Sequence, residues 1–274
     1  MNNTSDSVLY EQNCSKILHD WKKNKKHPLT ELVMEYFKEN KINPRRIKAV
    51  HWCGGSGELD NIIGKSSNGN PSDVVIEFGN GEFFGISLKY KNTTSALTYK
   101  NAGLGTIGKY LGIDYNTIVQ EKYDTLVVDA YGLPESYGER KEYLKSNPEL
   151  KKLVDMQGHI MLRMLLLHPE WGIKAKYEQM SHKNNVNHIV DFWLDAKNPV
   201  IPYVVITERN SVWSLIDPMK SNRRKKLLNS KKILWGVSGT SLIVNLKDLN
   251  IMKMRIKYES HKFASSIKFA GEFT

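Results

Sequence analysis

No run of 18 apolar residues occurs in the 274-residue chain, so nothing in it reads as a membrane-spanning helix. Cysteine is almost missing as well. Cys14 and Cys53 lack the CxxC spacing of a zinc site and are too few for a disulfide framework, which fits a reducing cytoplasm. Residues 1–10 are polar and carry no apolar signal-peptide core, so export is not expected. The run Gly54-Gly55-Ser56-Gly57 is not followed by the Lys-Ser/Thr of a phosphate-binding P-loop. Internal repeats and long low-complexity linkers are absent. What remains is 40% hydrophobic residues, enough for one large domain or a core with a smaller addition. A Lys/Asn/Ile-rich composition suggests an AT-biased genome, such as a phage or a low-GC bacterium.

Acidic side chains are scarce in one region only. Residues 218–274 hold 13 Lys or Arg against Asp248, Glu259 and Glu272, whereas the first 217 hold 27 basic and 26 acidic side chains. Nearly all of the net +11 therefore lies at one end, an arrangement suited to a polyanion. A solubilising or membrane-surface patch is the plainer reading. No amphipathic basic helix with a strong apolar face is evident there, which counts against a membrane. Arg223, Arg224, Lys225 and Lys226 are candidate phosphate contacts, joined by Lys253, Arg255 and Lys257 on a segment that alternates with Met252, Met254, Ile256 and Tyr258.

Hydrophobic spacing predicts helices over residues 8–40, with Pro28 starting the second, and a short strand over 47–52. A helical piece over 58–63 interrupts a Gly/Ser/Asn-rich loop. The pattern then switches to period two: Val74, Ile76 and Phe78 share one face, as do Phe84, Ile86, Leu88 and Tyr90, with Gly79-Asn80-Gly81 as a hairpin turn. Residues 101–112 are glycine-rich, and 115–126 look helical. A long helix over 149–168 is expected to be built on Leu153, Met156, Ile160, Leu162, Met164, Leu165 and Leu166. Strand-like runs follow at 200–207, 233–237, 241–246 and 251–258. The cleanest boundary lies near Lys197-Asn198-Pro199. It divides 1–198 from a basic, β-rich 199–274 that can equally belong to the same domain.

Phosphodiester hydrolysis needs a divalent metal held by carboxylates, an activated water, and neutralisation of charge in the transition state. A bent hairpin supplies these compactly: an Asp on the first strand, and on the second an acid with a Lys two positions further on the same face. Pro71-Ser72-Asp73 followed by Ser87-Leu88-Lys89 resembles this arrangement, the PD-(D/E)XK nuclease superfamily, over about residues 50–110. Asp73 and Lys89 share a face only if Asp73 lies opposite Ser87. That requires Phe78 to pair with Glu82 across a three-residue loop, or else a bulge. Asp73, Val75, Glu77, Gly85, Ser87 and Lys89 then line one face, with Gly85 leaving room for a substrate or metal.

The resemblance implies an α/β fold: a restriction-endonuclease-like core with a mixed central sheet flanked by helices, spanning 1–198. It implies a Mg²⁺- or Mn²⁺-dependent endonuclease acting on DNA, and by analogy a homodimer. Asp73 and the Leu88 carbonyl would ligate the metal, and Lys89 would steady the attacking water. Ser87, where the family pattern has its second acid, departs from the pattern. The missing carboxylate is expected from Glu58, with Glu77 as second choice. The same departure leaves open a non-catalytic DNA-binding protein with a decayed nuclease fold. Thr93, Thr94, Ser95, Thr98, Asn101, Gly103 and Gly105 can wrap a phosphate backbone or form an ordinary loop. His182 and His188, with Asp191, fall at a polar turn with no second cluster to complete a metal site, and the histidines read as surface groups. His51 beside Cys53 lacks a third residue to make a nucleophilic pair.

Overall fold

The computed structural model describes residues 3–55, 57–67, 70–91, 98–193, 200–247, 249–258 and 267–273. The chain forms two compact units, each of two segments: 1–95 with 190–225, and 96–189 with 226–274. In chain order the first unit opens with α1 (Asn3–His19), α2 (Pro28–Glu39), β1 (Ile47–Trp52), α3 (Glu58–Ile63), β2 (Val74–Phe78) and β3 (Phe83–Lys91). The second unit takes β4 (Thr98–Gly103), α4 (Leu104–Leu111), α5 (Tyr115–Tyr123), α6 (Tyr137–Ser146), α7 (Pro148–Leu167), α8 (Ile173–Gln179) and α9 (His182–His188). The first resumes with β5 (Tyr203–Arg209) and β6 (Val212–Ile216). Helix α10 (Asn222–Leu228) carries the chain across, and β7 (Leu234–Ser238), β8 (Ser241–Leu246), β9 (Leu249–Tyr258) and β10 (Ile267–Phe273) complete the second unit.

The fold is mixed α/β with two sheets flanked by helices. One sheet is mixed, ordered β1-β2-β3-β5-β6 with only β3 and β5 parallel. The other is antiparallel throughout, ordered β4-β10-β9-β8-β7. Residues 199–274 therefore serve both units, while the boundary expected at 197–199 lies outside the described residues. No helix among the described residues is long and apolar enough to cross a membrane.

Period-two patterning explains the first sheet. Val74, Ile76, Phe78, Phe84, Ile86 and Leu88 point to one face and pack with Leu18 of α1 and Leu29, Val33 and Phe37 of α2. The other face is smaller, formed by Val75 with Cys53, Ile201 and, from α3, Leu59 and Ile63. Strand β5 reads Val204-Val205-Ile206 without alternation because it is buried on both faces, as a central strand with a parallel neighbour is. The hairpin closes as its turn chemistry demands. The Phe78 N–H donates to the Glu82 carbonyl (2.9 Å), and Gly81 takes a left-handed φ of 78°. The ladder pairs Val74 with Ile86 and Glu77 with Phe83, the register of the three-residue loop, and the chain bends at Asp73, just before the paired residues, where the N–H turns to β3 and the carbonyl to β1.

Two expectations fail here. The space over Gly85 is not open to a ligand: a Cβ there would meet the Ser72 hydroxyl at 1.9 Å and the Tyr203 Cβ at 3.0 Å. Glycine at 85 lets Ser72 and β5 close in, which is a packing role. From residue 98 onward the 93–105 stretch is likewise strand and helix and not loop. Thr93, Thr94 and Ser95 lie outside the described residues, Thr98, Asn101 and Gly103 belong to β4, and Gly105 lies in the first turn of α4 in the second unit.

In the second unit Met252, Met254, Ile256 and Tyr258 of β9 point inward with Leu242, Val244 and Phe269. The Tyr258 hydroxyl donates to the Gly158 carbonyl of α7 (3.1 Å). Helix α7 turns Val154, Gly158, Met161, Leu162, Leu165 and Leu166 inward. Leu153, Met156 and Ile160, expected in the core, are exposed. The helix is apolar on two sides, and such a pattern does not say which side is covered. The His182 and His188 reading also changes. They lie on α9 rather than in a turn, and His188 is buried between the rings of Tyr110 and Tyr177 (5.3 Å each).

Candidate active site

Asp73 sits where β2 begins, held by both neighbouring strands. Its N–H donates to the Ile86 carbonyl (2.9 Å), and its own carbonyl accepts from the Cys53 N–H (2.8 Å). With the backbone pinned, the side chain reaches across to β3. Asp73 Oδ2 accepts from the Leu88 N–H at 2.6 Å and lies 3.4 Å from the Ser87 hydroxyl and 3.5 Å from Lys89 Nζ. The Asp73 and Lys89 side chains keep 23% and 22% of their surface accessible, so the pair is neither sealed in the core nor free in solvent. Ser87 is buried and donates to Asp73; it orients the carboxylate. The Leu88 side chain points into the core. Because N–H and C=O of one residue leave a strand on the same side, the Leu88 carbonyl faces the side that Asp73 occupies.

The second acid at this site is Glu11 of α1. Its carboxyl takes the indole N–H of Trp52 (3.3 Å), and its proton affinity is raised first by burial and then by the negative charge of Asp73, with Trp52 and Lys89 opposing. Glu11, Asp73 and Lys89 therefore feel one another's charge. Sequence reasoning missed Glu11 because α1 and β2 are some sixty residues apart. One signal was present: Glu11, Cys14, Ser15 and Leu18 recur at helical spacing, and the last three are buried, which places a carboxylate on the inward face of the helix.

Glu58 and Glu77 are otherwise engaged. Glu58 folds back on its own loop, accepting the Gly55 N–H (2.8 Å). It and Asp73 add to the burial that pushes the Cys53 thiol up to about 12, which leaves that cysteine protonated and inert at neutral pH. Glu77 is bound by Lys48 (2.5 Å) and His51 (3.0 Å) of β1, which hold its carboxyl below the usual range. The His51 ring thus contacts Glu77 on the neighbouring strand, not Cys53.

The basic residues divide between units. Lys253, Arg255 and Lys257 of β9 form one partly exposed row in the second unit, spaced about 7 Å apart. Lys268 of β10 lies opposite Lys257, while Glu272 lies opposite Lys253 and 3.6 Å from Arg255. On α10, Lys225 and Lys226 are exposed and Arg224 is half-buried; the Arg223 side chain lies outside the described residues. Asp73 and Lys89 belong to the first unit.

Among the described residues no three His, Cys, Asp or Glu side chains gather as a ready-made metal cage. The donors near Lys89 are all hard oxygens: two carboxylates and a backbone carbonyl. Mg²⁺ and Mn²⁺ favour such donors and complete their shells with water. A carboxylate whose proton affinity is raised by a second one is relieved by a shared cation, so the donor chemistry fits. No family model, curated protein or solved structure matches this chain.

Proposed function

We propose that the protein is a divalent-metal-dependent nuclease that hydrolyses DNA phosphodiester bonds, with a restriction-endonuclease-like core as its first unit. The observation that carries the reading is the contact between Asp73 and Lys89, 3.5 Å apart on adjacent strands, with Glu11 close enough to feel both charges. Asp73, Glu11 and the Leu88 carbonyl would hold Mg²⁺ or Mn²⁺. Glu11 replaces Glu58 as the source of the missing acid. The ion, when bound, acidifies a coordinated water and offsets charge on the scissile phosphate.

The chain's own groups do the rest. Ser87 and the Leu88 N–H fix one Asp73 oxygen and leave the other to coordinate. Lys89 orients the attacking water and donates to the phosphoryl oxygen as its charge grows, a contribution worth about 3 kcal/mol for one positioned donor. The basic row of β9, with Lys225 and Lys226, supplies sequence-independent attraction to the phosphate backbone. Two buried free cysteines suit a cytoplasmic setting.

A second reading is a DNA-binding protein that keeps a decayed nuclease fold. Ser87 favours it, since a buried hydroxyl stands at the position of the family's second acid. Incubation with supercoiled plasmid and Mg²⁺ or Mn²⁺ separates the two. The nuclease reading predicts nicked and linear product that disappears in Asp73→Asn and Lys89→Ala. DNA retention without cleavage in the unmodified protein supports the second reading instead.

A further inference from the structure

The mixed sheet of the first unit has a second end, away from Asp73 and Lys89. Strand β5 joins β3 only from Tyr203, opposite Gly85, where the Gly85 N–H donates to the Pro202 carbonyl (2.8 Å). Phe83 and Phe84 extend past the start of that ladder. A cavity of about 510 Å³ opens beside them, bounded by the hairpin turn, residues 41–46 and residues 200–202. Every residue lining it belongs to the first unit, and its size is that of a site for one small molecule. Six residues of β3, roughly 20 Å at the usual rise, separate Phe83 from Lys89, so the cavity is no part of the site described above.

The lining combines apolar and basic groups. Ile201 is buried, while Ile42, Phe83 and Val200 stay half-accessible. Phe83 is the one lining aromatic that is not buried, since Phe78 and Phe84 pack into the core with Phe37. Lys41, Arg46 and Lys65 are exposed and come from three separate segments. Glu82 is the only acid among the lining residues, and it stands 3.6 Å from Arg46, so none of that lining remains to match Lys41 and Lys65. Lys41 is also held against its backbone preference. It follows the end of α2 at φ 58°, in a turn closed by the Ile42 N–H on the Phe37 carbonyl (2.8 Å), where glycine or asparagine is the usual residue. The turn itself has no need of a cation there.

We propose that this cavity binds a phosphomonoester carried on a flat ring, the chemistry of a nucleoside monophosphate. A phosphomonoester bears about two negative charges at neutral pH, which Lys41 and Lys65 match, whereas a carboxylate bears a single one. The ring stacks on Phe83 and is covered by Ile42, Val200 and Ile201, displacing water from apolar surface. Phosphate alone lacks the ring and a nucleoside alone lacks the charge, so each binds more weakly than the two joined. The site is independent of the nuclease reading, since it needs neither a metal nor Asp73.

Calorimetric titration of the full chain with 2′-deoxyadenosine 5′-monophosphate, without divalent metal, tests this. The nucleotide should bind at least about tenfold tighter than deoxyadenosine or inorganic phosphate. Lys65→Ala and Phe83→Ala should each weaken it about tenfold. Lys41→Gly separates binding from folding, because glycine suits φ 58°. It should melt at the same temperature as the unmodified protein or higher, yet bind about tenfold more weakly, a combination that misfolding does not produce. Asp73→Asn, and Lys253→Ala with Lys257→Ala, should bind as the unmodified protein does. A loss of binding in either places the nucleotide elsewhere and overturns the proposal. So does an absence of binding at millimolar nucleotide, an affinity unchanged in both Lys41→Gly and Lys65→Ala, or deoxyadenosine binding as tightly as its phosphate.

Discussion

The two units spend their apolar and charged residues in different ways. In the first, α1 and α2 each carry one apolar stripe, and both stripes are covered by the mixed sheet: Leu18, Leu29, Val33 and Phe37 are almost wholly buried. Its charges come in opposed sets at the sheet, Asp73 with Lys89 and Glu77 with Lys48. In the second unit α7 is apolar on two sides and covers only one, and the charges of β9 repeat with one sign, opposed by Glu272 alone among the paired residues of β10. Opposed charges held at fixed short distance are what a reacting centre needs. A repeated charge on a strand face suits a long polyanion. On the proposed reading, chemistry belongs to the first unit and phosphate contact to the second.

Breaking the first side of that contrast should have the largest effect. Lys89→Ala and Asp73→Asn should each lower metal-dependent cleavage at least about a hundredfold, measured as single-turnover rates on plasmid DNA. DNA retention in a filter-binding assay should be unchanged for Lys89→Ala, and unchanged or tighter for Asp73→Asn, which removes one negative charge facing phosphate. If both variants cut at the full rate, the site assignment is wrong.

Glu11 sharpens the comparison by setting function against stability. Glu11→Gln should lose about tenfold to a hundredfold in rate, whereas Glu58→Gln should stay near the unmodified value. The sign for stability follows from the raised proton affinity. Folding favours the protonated carboxyl, so the stability it contributes is present at low pH and is lost as pH rises through the folded value. At neutral pH without metal, Glu11→Gln should therefore melt higher than the unmodified protein, and added Mn²⁺ should raise its melting temperature less. A lower melting temperature for Glu11→Gln without metal contradicts the buried-charge assignment.

The second unit should respond in affinity and not in chemistry. Lys253→Ala with Lys257→Ala should reduce the slope of log affinity against log salt by about 2, near 0.9 for each phosphate contact, with little change in the cleavage rate at saturating DNA. An unchanged slope moves the binding surface elsewhere. The smallest effect is local. Gly81→Ala must place a side chain at φ 78° and should cost about 1–2 kcal/mol, seen as a lower melting temperature with unchanged cleavage at 25 °C.

Much of the proposed site was legible before any tertiary contact was known. The 79–81 turn and the alternating strands around it are local features. Their register follows from turn length alone, which is why Asp73, Ser87 and Lys89 could be placed together from the residues. Helix α3 and the basic face of β9 were readable for the same reason, since each depends on a period of two or 3.6 within one short segment. Strands β4, β6 and β10 and helices α4, α6 and α8–α10 were not read out. The glycines of 103–112 speak for a loop, yet Leu104, Ile107 and Leu111 bury as one stripe once the second unit offers them a surface.

Local pattern determined the hairpin, the shared face of Asp73 and Lys89, and the one-sided charge of the C-terminal region, because turn length, pleat and composition act within a few residues. Tertiary structure alone decided that the charge of Asp73 reaches Glu11 while Glu58 and Glu77 bond elsewhere, that Ser72 fills the space over Gly85, that 199–274 is shared between units, and that Leu153, Met156 and Ile160 face outward. Each of these is a choice among sequence-distant surfaces competing for one another. That competition is settled by which packing buries the most apolar area and leaves the fewest charges unpaired, a sum over the whole chain that no short window contains.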